Sequence, residues 1–240
     1  MINKVEEVAS SSKIRLGVLG LSGKMGQTVF KNISQPPFCD QLELVSRGAD
    51  IWVDFSSPEA VIQWYEKASA LDKGSIFLVG STGWTSEQKA QLKQLSPDST
   101  VLFIPNFSEG VLNLLKLIQT LTSNSELNFF NKAQLLLREV HHVHKKDSPS
   151  GTAKLIAEFI NRVFRRTAPI ESIREGEVIG VHEVIFETPF EKIKLVHEAK
   201  NRDLFAIGAL HYALKLFPLK SRLPKRQVEI SELAQNYLTP

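Results

Sequence analysis

The feature that most restricts what this chain can fold into is an apolar run near its start that breaks into three glycines spaced three apart. Lys13–Leu19 (KIRLGVL) reads as a buried strand, and a helix follows from about Lys24 to Ile33. Gly20-Leu21-Ser22-Gly23-Lys24-Met25-Gly26 joins the two. In a strand–turn–helix of this kind Gly20 permits the tight turn, Gly23 lets backbone amides approach a diphosphate, and Gly26 allows close helix–strand packing. The helix start, at Lys24 and Met25, presents unpaired N–H groups and a partial positive charge to phosphates. The spacing is GxxGxxG, one step from the commoner GxGxxG. Two readings therefore stand: a dinucleotide-binding turn, or a purely structural tight turn.

The rest of the first half alternates short apolar runs with helix-like segments, the pattern of a parallel sheet with crossover helices. Strands are expected at Ile51–Phe55, Ser75–Val79 and Thr100–Ile104, with helices at Ser57–Ser69 and near Ser86–Leu95. Pro58 suits the first turn of the former helix. After Asn106 the plan changes to α+β. Helices are expected at Gly110–Thr122, Gly151–Arg166 and Leu204–Phe217, and a strand at Gln134–Val140. Val178–Phe186 and Lys192–Glu198 read as antiparallel strands joined at Thr188-Pro189. Two domains follow from this change of plan.

A dinucleotide turn usually comes with an acidic residue about 20 residues on, at the end of the second strand, to hold the ribose hydroxyls. Gln41–Val45 could be that strand, but Ser46-Arg47-Gly48 follows it with no acid in place. Only five residues separate Val45 from Ile51, whereas a parallel crossover needs about ten to twelve. Either Gln41–Val45 is not a regular parallel strand or the connection is unusually direct. Arg47 faces a 2′-phosphate or is a solvated loop residue.

Composition excludes several classes of function. The 240 residues are 42% apolar and 23% charged, ordinary for a globular protein able to bury a core. The formal charge of +3 and the basic run Lys220, Arg222, Lys225, Arg226 suit anionic small substrates better than nucleic acid. No stretch approaches the roughly 20 apolar residues of a membrane span. The first twelve residues are polar and carry Glu6 and Glu7, unlike a signal peptide, and the single Cys39 forms no internal disulfide. A cytoplasmic protein is expected.

Three of the six histidines fall in His141-His142-Val143-His144, followed by Lys145-Lys146-Asp147-Ser148-Pro149-Ser150-Gly151-Thr152. They lie at the carboxyl end of a strand and in the loop that leads to the next helix. A metal site would use the histidines as ligands, but Lys145 and Lys146 add positive charge where a cation would sit. A solvated loop is the second reading. The third, preferred here, is an anion site with an acid: Lys145 and the amides around Ser150–Thr152 grip carboxylates while a histidine supplies a proton. No metal is expected.

The stretch Glu139–Ala153 resembles the signature E-x-H-H-x-x-K-x-D-x-P-S-G-T-A of the dihydrodipicolinate reductase family. Further segments resemble the family in the right order: the GxxGxxG turn, VDFSSPE at Val53–Glu59, Gly80-Ser81-Thr82-Gly83, Pro105-Asn106-Phe107-Ser108-Glu109-Gly110-Val111, and Asn201–Ala209. The resemblance covers residues 13 to about 210.

It implies an α/β chain with a Rossmann-like dinucleotide-binding domain, 1–107 and 202–240, and an α+β substrate-binding and oligomerisation domain, 108–201. It further implies NADPH or NADH as cofactor, a small dicarboxylate substrate, and a homotetramer built through the sheet of the second domain. By the same resemblance His141 is the general acid and Lys145 holds or polarises the substrate. His142, Ser150, Gly151 and Thr152 bind its carboxylates. Gly80, Ser81, Thr82, Pro105, Asn106 and Phe107 belong with the glycine turn on the cofactor side, and Arg202 sits near the domain hinge. Neutral imidazole and imidazolium are both accessible near neutral pH, which suits proton delivery to a carbon beside the one that receives hydride. The chain departs from the family twice: the segment with the acidic ribose residue is missing, and no strand is evident between Arg174-Glu175-Gly176 and Val178, which leaves the second-domain sheet short. A catalytically idle nucleotide sensor and a metal-dependent hydrolase using His141, His142 and His144 are the competing classes.

Overall fold

The computed structural model describes residues 13–68, 70–123 and 129–230. The polar leader, Ser69 at the end of an expected helix, and 231–240 of the expected returning segment lie outside the described residues.

The first strand, β1 (Ile14–Leu19), runs into helix α1 (Lys24–Ile33) through the glycine turn. A short helix α2 (Phe38–Gln41) leads to β2 (Leu42–Leu44), then β3 (Ile51–Asp54), α3 (Pro58–Lys67), α4 (Ala70–Lys73), β4 (Ile76–Val79), α5 (Ser86–Leu95) and β5 (Thr100–Phe103). These strands and the late β10 (Gln227–Glu229) form one parallel sheet in the order β10-β5-β4-β3-β1-β2. β3, β4 and β5 are buried along their whole length, as parallel strands covered on both faces must be. Their alternate residues divide between two cores. Ile51, Val53, Ile76, Leu78 and Leu102 point into the main core, while Trp52, Phe77, Val79, Val101 and Phe103 meet Val61, Tyr65 and Leu92 of α3 and α5. Local signals start those helices: the Ser57 hydroxyl accepts from the Ala60 amide, and Thr85 and Gln88 form a reciprocal capping box.

The awkward connection at Val45 is explained by register. β2 pairs only with the first half of β1, Leu44 lying opposite Leu16, and β3 pairs with the second half, Ile51 lying opposite the same Leu16 on the other side. The chain therefore crosses one strand sideways instead of climbing back along a full strand. The amides of Val45 and Asp50 donate to Leu16 and Arg15 carbonyls on the two sides of β1 at 2.9 and 2.8 Å. The strand expected at Gln41–Val45 is thus a true parallel strand, shortened to Leu42–Leu44 with Gln41 ending α2, and its link to β3 is unusually direct.

After β5, α6 (Glu109–Ser123) and α7 (Phe129–Lys132) lead into β6 (Gln134–His141), α8 (Gly151–Phe164), β7 (Ile170–Arg174), β8 (Gly180–Glu187) and β9 (Lys192–Ala199). The second sheet has the order β7-β6-β8-β9, with β7 parallel to β6 and the other pairs antiparallel. No strand lies between 175 and 179, but Ile170–Arg174, a strand the sequence did not reveal, pairs with Leu137–His141 at the edge of this sheet. Helix α9 (Asp203–Leu216) then returns the chain against α1, and β10 extends the first sheet beside β5. Ile118 of α6, Ile156 and Ile160 of α8, Leu137, Phe186 and Leu210 share one buried core with the first sheet, which fixes the two sheets against each other.

Candidate active site

The carboxyl ends of the parallel strands face the carboxyl end of β6 across a cleft of about 230 Å³. On one wall, His141 is the last residue of β6, and Glu139, two residues earlier, leaves the strand on the same face. The loop after it returns to α8, whose first turn is capped by Ser150: its hydroxyl accepts from the Ala153 amide at 3.1 Å. His141, His142, Lys145, Ser150, Gly151 and Thr152 all line the cleft. The structure brings these six residues to one cleft.

Glu139 organises this wall. It is fully buried; one carboxylate oxygen accepts from the Ser150 amide and from Arg174 of β7, both at 3.1 Å. The other lies 3.0 Å from Nδ1 of His141. Burial alone would raise the Glu139 carboxyl, but its contacts with His141, Ser150 and Ser172 outweigh that and hold it well below the usual carboxylate range. Lys145 Nζ pairs with Asp147 at 2.7 Å. The Asp147 carboxyl is also lowered: burial opposes, while Lys145 and the Gly151 amide favour the charged form. Lys145 thus has a carboxylate as its partner here, and a substrate carboxylate would share or take that place.

Two further histidines stand in the same wall. His182 of β8 is 2% exposed, its Nε2 lies 3.3 Å from the Ser150 hydroxyl, and its ring meets that of His141 edge-on at 5.2 Å. Burial first, then the neighbouring His141, pushes it down to about 3, so it is neutral at ordinary pH. His197 of β9 pairs with the Ser108 hydroxyl at 3.0 Å and is lowered by burial. Nδ1 of His142, of His182 and of His197 is buried without a partner among the described residues.

The other wall belongs to the first sheet. Met25, Gly80, Thr82, Pro105, Asn106 and Phe107 line it, and Arg202 at the start of α9 closes one end. Asn106 ties the walls together by donating to the Thr152 hydroxyl at 2.9 Å. Gly20, Gly23, Lys24 and Gly26 form the turn that carries Met25. Gly20 has φ +79, a conformation that side-chain-bearing residues rarely adopt, and a Cβ there would stand 2.7 Å from the Phe55 carbonyl. Helix α1 has no side-chain cap and no acid in its first turn, so its leading amides and Lys24 form a donor set suited to a diphosphate. The turn thus fits a dinucleotide.

Two expected cofactor residues stand elsewhere. The amide and hydroxyl of Ser81 both donate to the buried Asp54, at 3.1 and 2.5 Å, and Ser56 donates to the same carboxylate, so Ser81 braces the loop beneath the cleft. Arg47 lines a separate hollow of about 590 Å³ with Arg15, Trp64 and Lys67. It follows β2, which ends opposite Leu16, four residues before the glycine turn begins, or about 13 Å along the strand. The structure does not bring Arg47 to the turn.

The metal reading fares poorly on donor chemistry. Among the described residues, the trio close enough to share an ion is Glu139, His141 and His182, not the sequential histidines. Glu139 is already engaged by Arg174, Ser150 and His141, and His144 is exposed beside Glu177. Glu139, Arg174, Gly180, His182 and His197 were not singled out from sequence, although Glu139 stands in the signature stretch.

A nucleotide turn on a parallel sheet, facing a wall of histidine, lysine and helix amides across one cleft, defines an NAD(P)H-dependent oxidoreductase. Comparison with known proteins narrows this. Residues 32–107 match the family description "Dihydrodipicolinate reductase, N-terminus" and residues 110–233 match "Dihydrodipicolinate reductase, C-terminus". The chain is 35% identical over 216 residues to the 4-hydroxy-tetrahydrodipicolinate reductase of Thermosipho africanus, covering 87% of this chain and 94% of that one. It is 32% identical over 212 residues to that of Bdellovibrio bacteriovorus, covering 84% and 89%. Dipicolinate-bound dihydrodipicolinate reductase from Paenisporosarcina sp. TG-14 has the same fold, with a TM-score of 0.65 at 20% identity over 94% of this chain and 100% of the other. The chain belongs to the dihydrodipicolinate reductase family. Reductases of this family use NADPH or NADH.

Proposed function

We propose that this chain reduces 4-hydroxy-tetrahydrodipicolinate, the dicarboxylate ring in its relatives' name, to tetrahydrodipicolinate in lysine and diaminopimelate biosynthesis. The observation that carries the reading is the shared cleft, in which the β6 histidines, Lys145 and the start of α8 stand opposite the glycine-turn wall. The 4-hydroxyl leaves as water, taking a proton from the neighbouring carbon, and the ring is left with a carbon–carbon double bond conjugated to its imine; nicotinamide, when bound, would supply hydride to C4 of that ring. His141 holds the proton destined for the neighbouring carbon. Lys145, His142 and the α8 start at Ser150, Gly151 and Thr152 bind the substrate's carboxylates, and the cations offset negative charge that builds on the conjugated ring. Lys145 is kept within reach by Asp147 and remains partly exposed to the cleft.

Residues 1–107 and 202–240 serve the dinucleotide, and 108–201 serve substrate binding and oligomerisation. A homotetramer in the cytoplasm is the expected working form. The edge strand β9 supports it, since Val196 is half exposed and the strand's outer edge has no neighbour among the described residues. The lone Cys39 is in keeping with a reducing compartment.

Oxidation of NADH and NADPH, each followed with freshly generated substrate, tests the activity. Substrate-dependent turnover is expected, and Lys145→Ala should raise KM as well as slow turnover. No oxidation of either nucleotide would refute the reading.

A further inference from the structure

Which imidazole nitrogen faces the reacting ring depends on what holds the other. Nδ1 of His141 lies 3.0 Å from one oxygen of Glu139, while the second oxygen takes two donors, the Ser150 amide and Arg174. Arg174 is itself fixed by the Asp147 carbonyl at 2.5 Å. Two donors on one oxygen hold this buried carboxylate in place, and its other oxygen and Nδ1, neither with a further hydrogen-bond partner among the described residues, face each other, so its charge favours a proton on that nitrogen. On the opposite side of the ring, Nε2 points at Gly180, where even a Cβ would stand 3.0 Å away. Glycine leaves that nitrogen open to the cleft, which both residues line. The remaining neighbours do not compete for Nδ1: His182 is neutral and meets the ring edge-on, Lys145 pairs with Asp147, and His142 is the next residue along the chain.

We infer that Glu139 is the positioning residue of His141, accepting Nδ1–H and so leaving Nε2 to carry the transferable proton into the cleft past Gly180. This rests on the reading of His141 as the proton donor. When the ring is doubly protonated, the Nε2–H bond breaks as the new C–H bond forms, its electron pair stays on Nε2, and the neutral ring keeps Nδ1–H against Glu139.

Glu139→Gln tests this with nearly unchanged volume. Two donors already converge on one oxygen site, so the amide oxygen takes that place and the amide N–H turns toward Nδ1. Nδ1 must then accept, and the neutral ring moves its proton to Nε2. Nitrogen-15 NMR of the free protein should show Nδ1–H for neutral His141 in the wild type and Nε2–H in Glu139→Gln. Turnover should fall roughly tenfold or more, the scale of a misdirected general acid, with nucleotide binding unchanged. Added to His141→Gln, the same substitution should cost less than about twofold, because its target is gone.

A wild-type spectrum with Nε2–H would overturn the inference without any variant, should Glu139→Gln fail to fold. An equal loss from Glu139→Gln with and without His141 would overturn it too, because it would mark a merely structural role. Full activity in His141→Gln would instead sink the proton-donor reading, while the wild-type tautomer would still judge the placement of Glu139.

Discussion

At the scale of single residues, the site depends as much on what is absent as on what is present. Gly180 has no chemistry of its own, yet a Cβ at that position would stand 3.0 Å from Nε2 of His141. Its backbone conformation is not one reserved for glycine, so Gly180→Ala should fold. The added methyl would crowd Nε2, and turnover should fall by about 10- to 100-fold, part of the span for losing a general acid. Thermal unfolding should shift little. A variant with wild-type turnover would show that the proton leaves by another route. His141 and Lys145 were legible in sequence because they stand in one unbroken stretch. Gly180, His182 and Arg174 were not, because strand pairing across dozens of residues brings them to Glu139, and no local spacing records that.

At the scale of elements, strongly apolar strands were legible and weakly marked ones were not. β3, β4 and β5 are buried on both faces and announce themselves as apolar runs. β7 was missed because Ile170-Glu171-Ser172-Ile173 is short and no residue of the strand is fully buried, and β10 because it contributes only Gln227–Glu229. β2 posed a contradiction in sequence that only the split register along β1 resolves. That register has a consequence for the cofactor. β2 stops near the middle of β1, so β2 and its loop bring neither an acid nor Arg47 to the glycine turn, and Asp54 of β3 is occupied by Ser56 and Ser81. NADPH should serve at least as well as NADH, and Arg47→Ala should leave their ratio of kcat/KM unchanged. A tenfold preference for NADH, about 1.4 kcal/mol, would reveal a ribose-reading group on another element. A changed ratio in Arg47→Ala would bring that side chain back to the nucleotide.

At the scale of the whole molecule, the buried histidines make stability depend on acid. His182 takes up its proton near pH 6.5 when unfolded but only near 3 when folded, because burial disfavours the charged ring. The unfolded chain therefore binds more protons across that window. Stability is fully present above about pH 6.5 and is lost as pH falls toward 3. Glu139, held below its ordinary value, acts in the same direction in the carboxylate range, whereas Asp54, raised by burial, opposes it there. Between pH 6.5 and 4.5 the His182 contribution should be on the order of 2 kcal/mol. Unfolding midpoints should drop across this interval, and the drop should be smaller in His182→Gln. An identical slope in the variant would assign the acid sensitivity to other groups, His142 and His197 first among them.

The account turns on His141 as the group that delivers the proton, and His141→Gln in single-turnover and steady-state assays tests that most directly. With nucleotide affinity measured separately and unchanged, turnover should fall by about 10²–10⁴. Wild-type turnover in that variant would contradict the account.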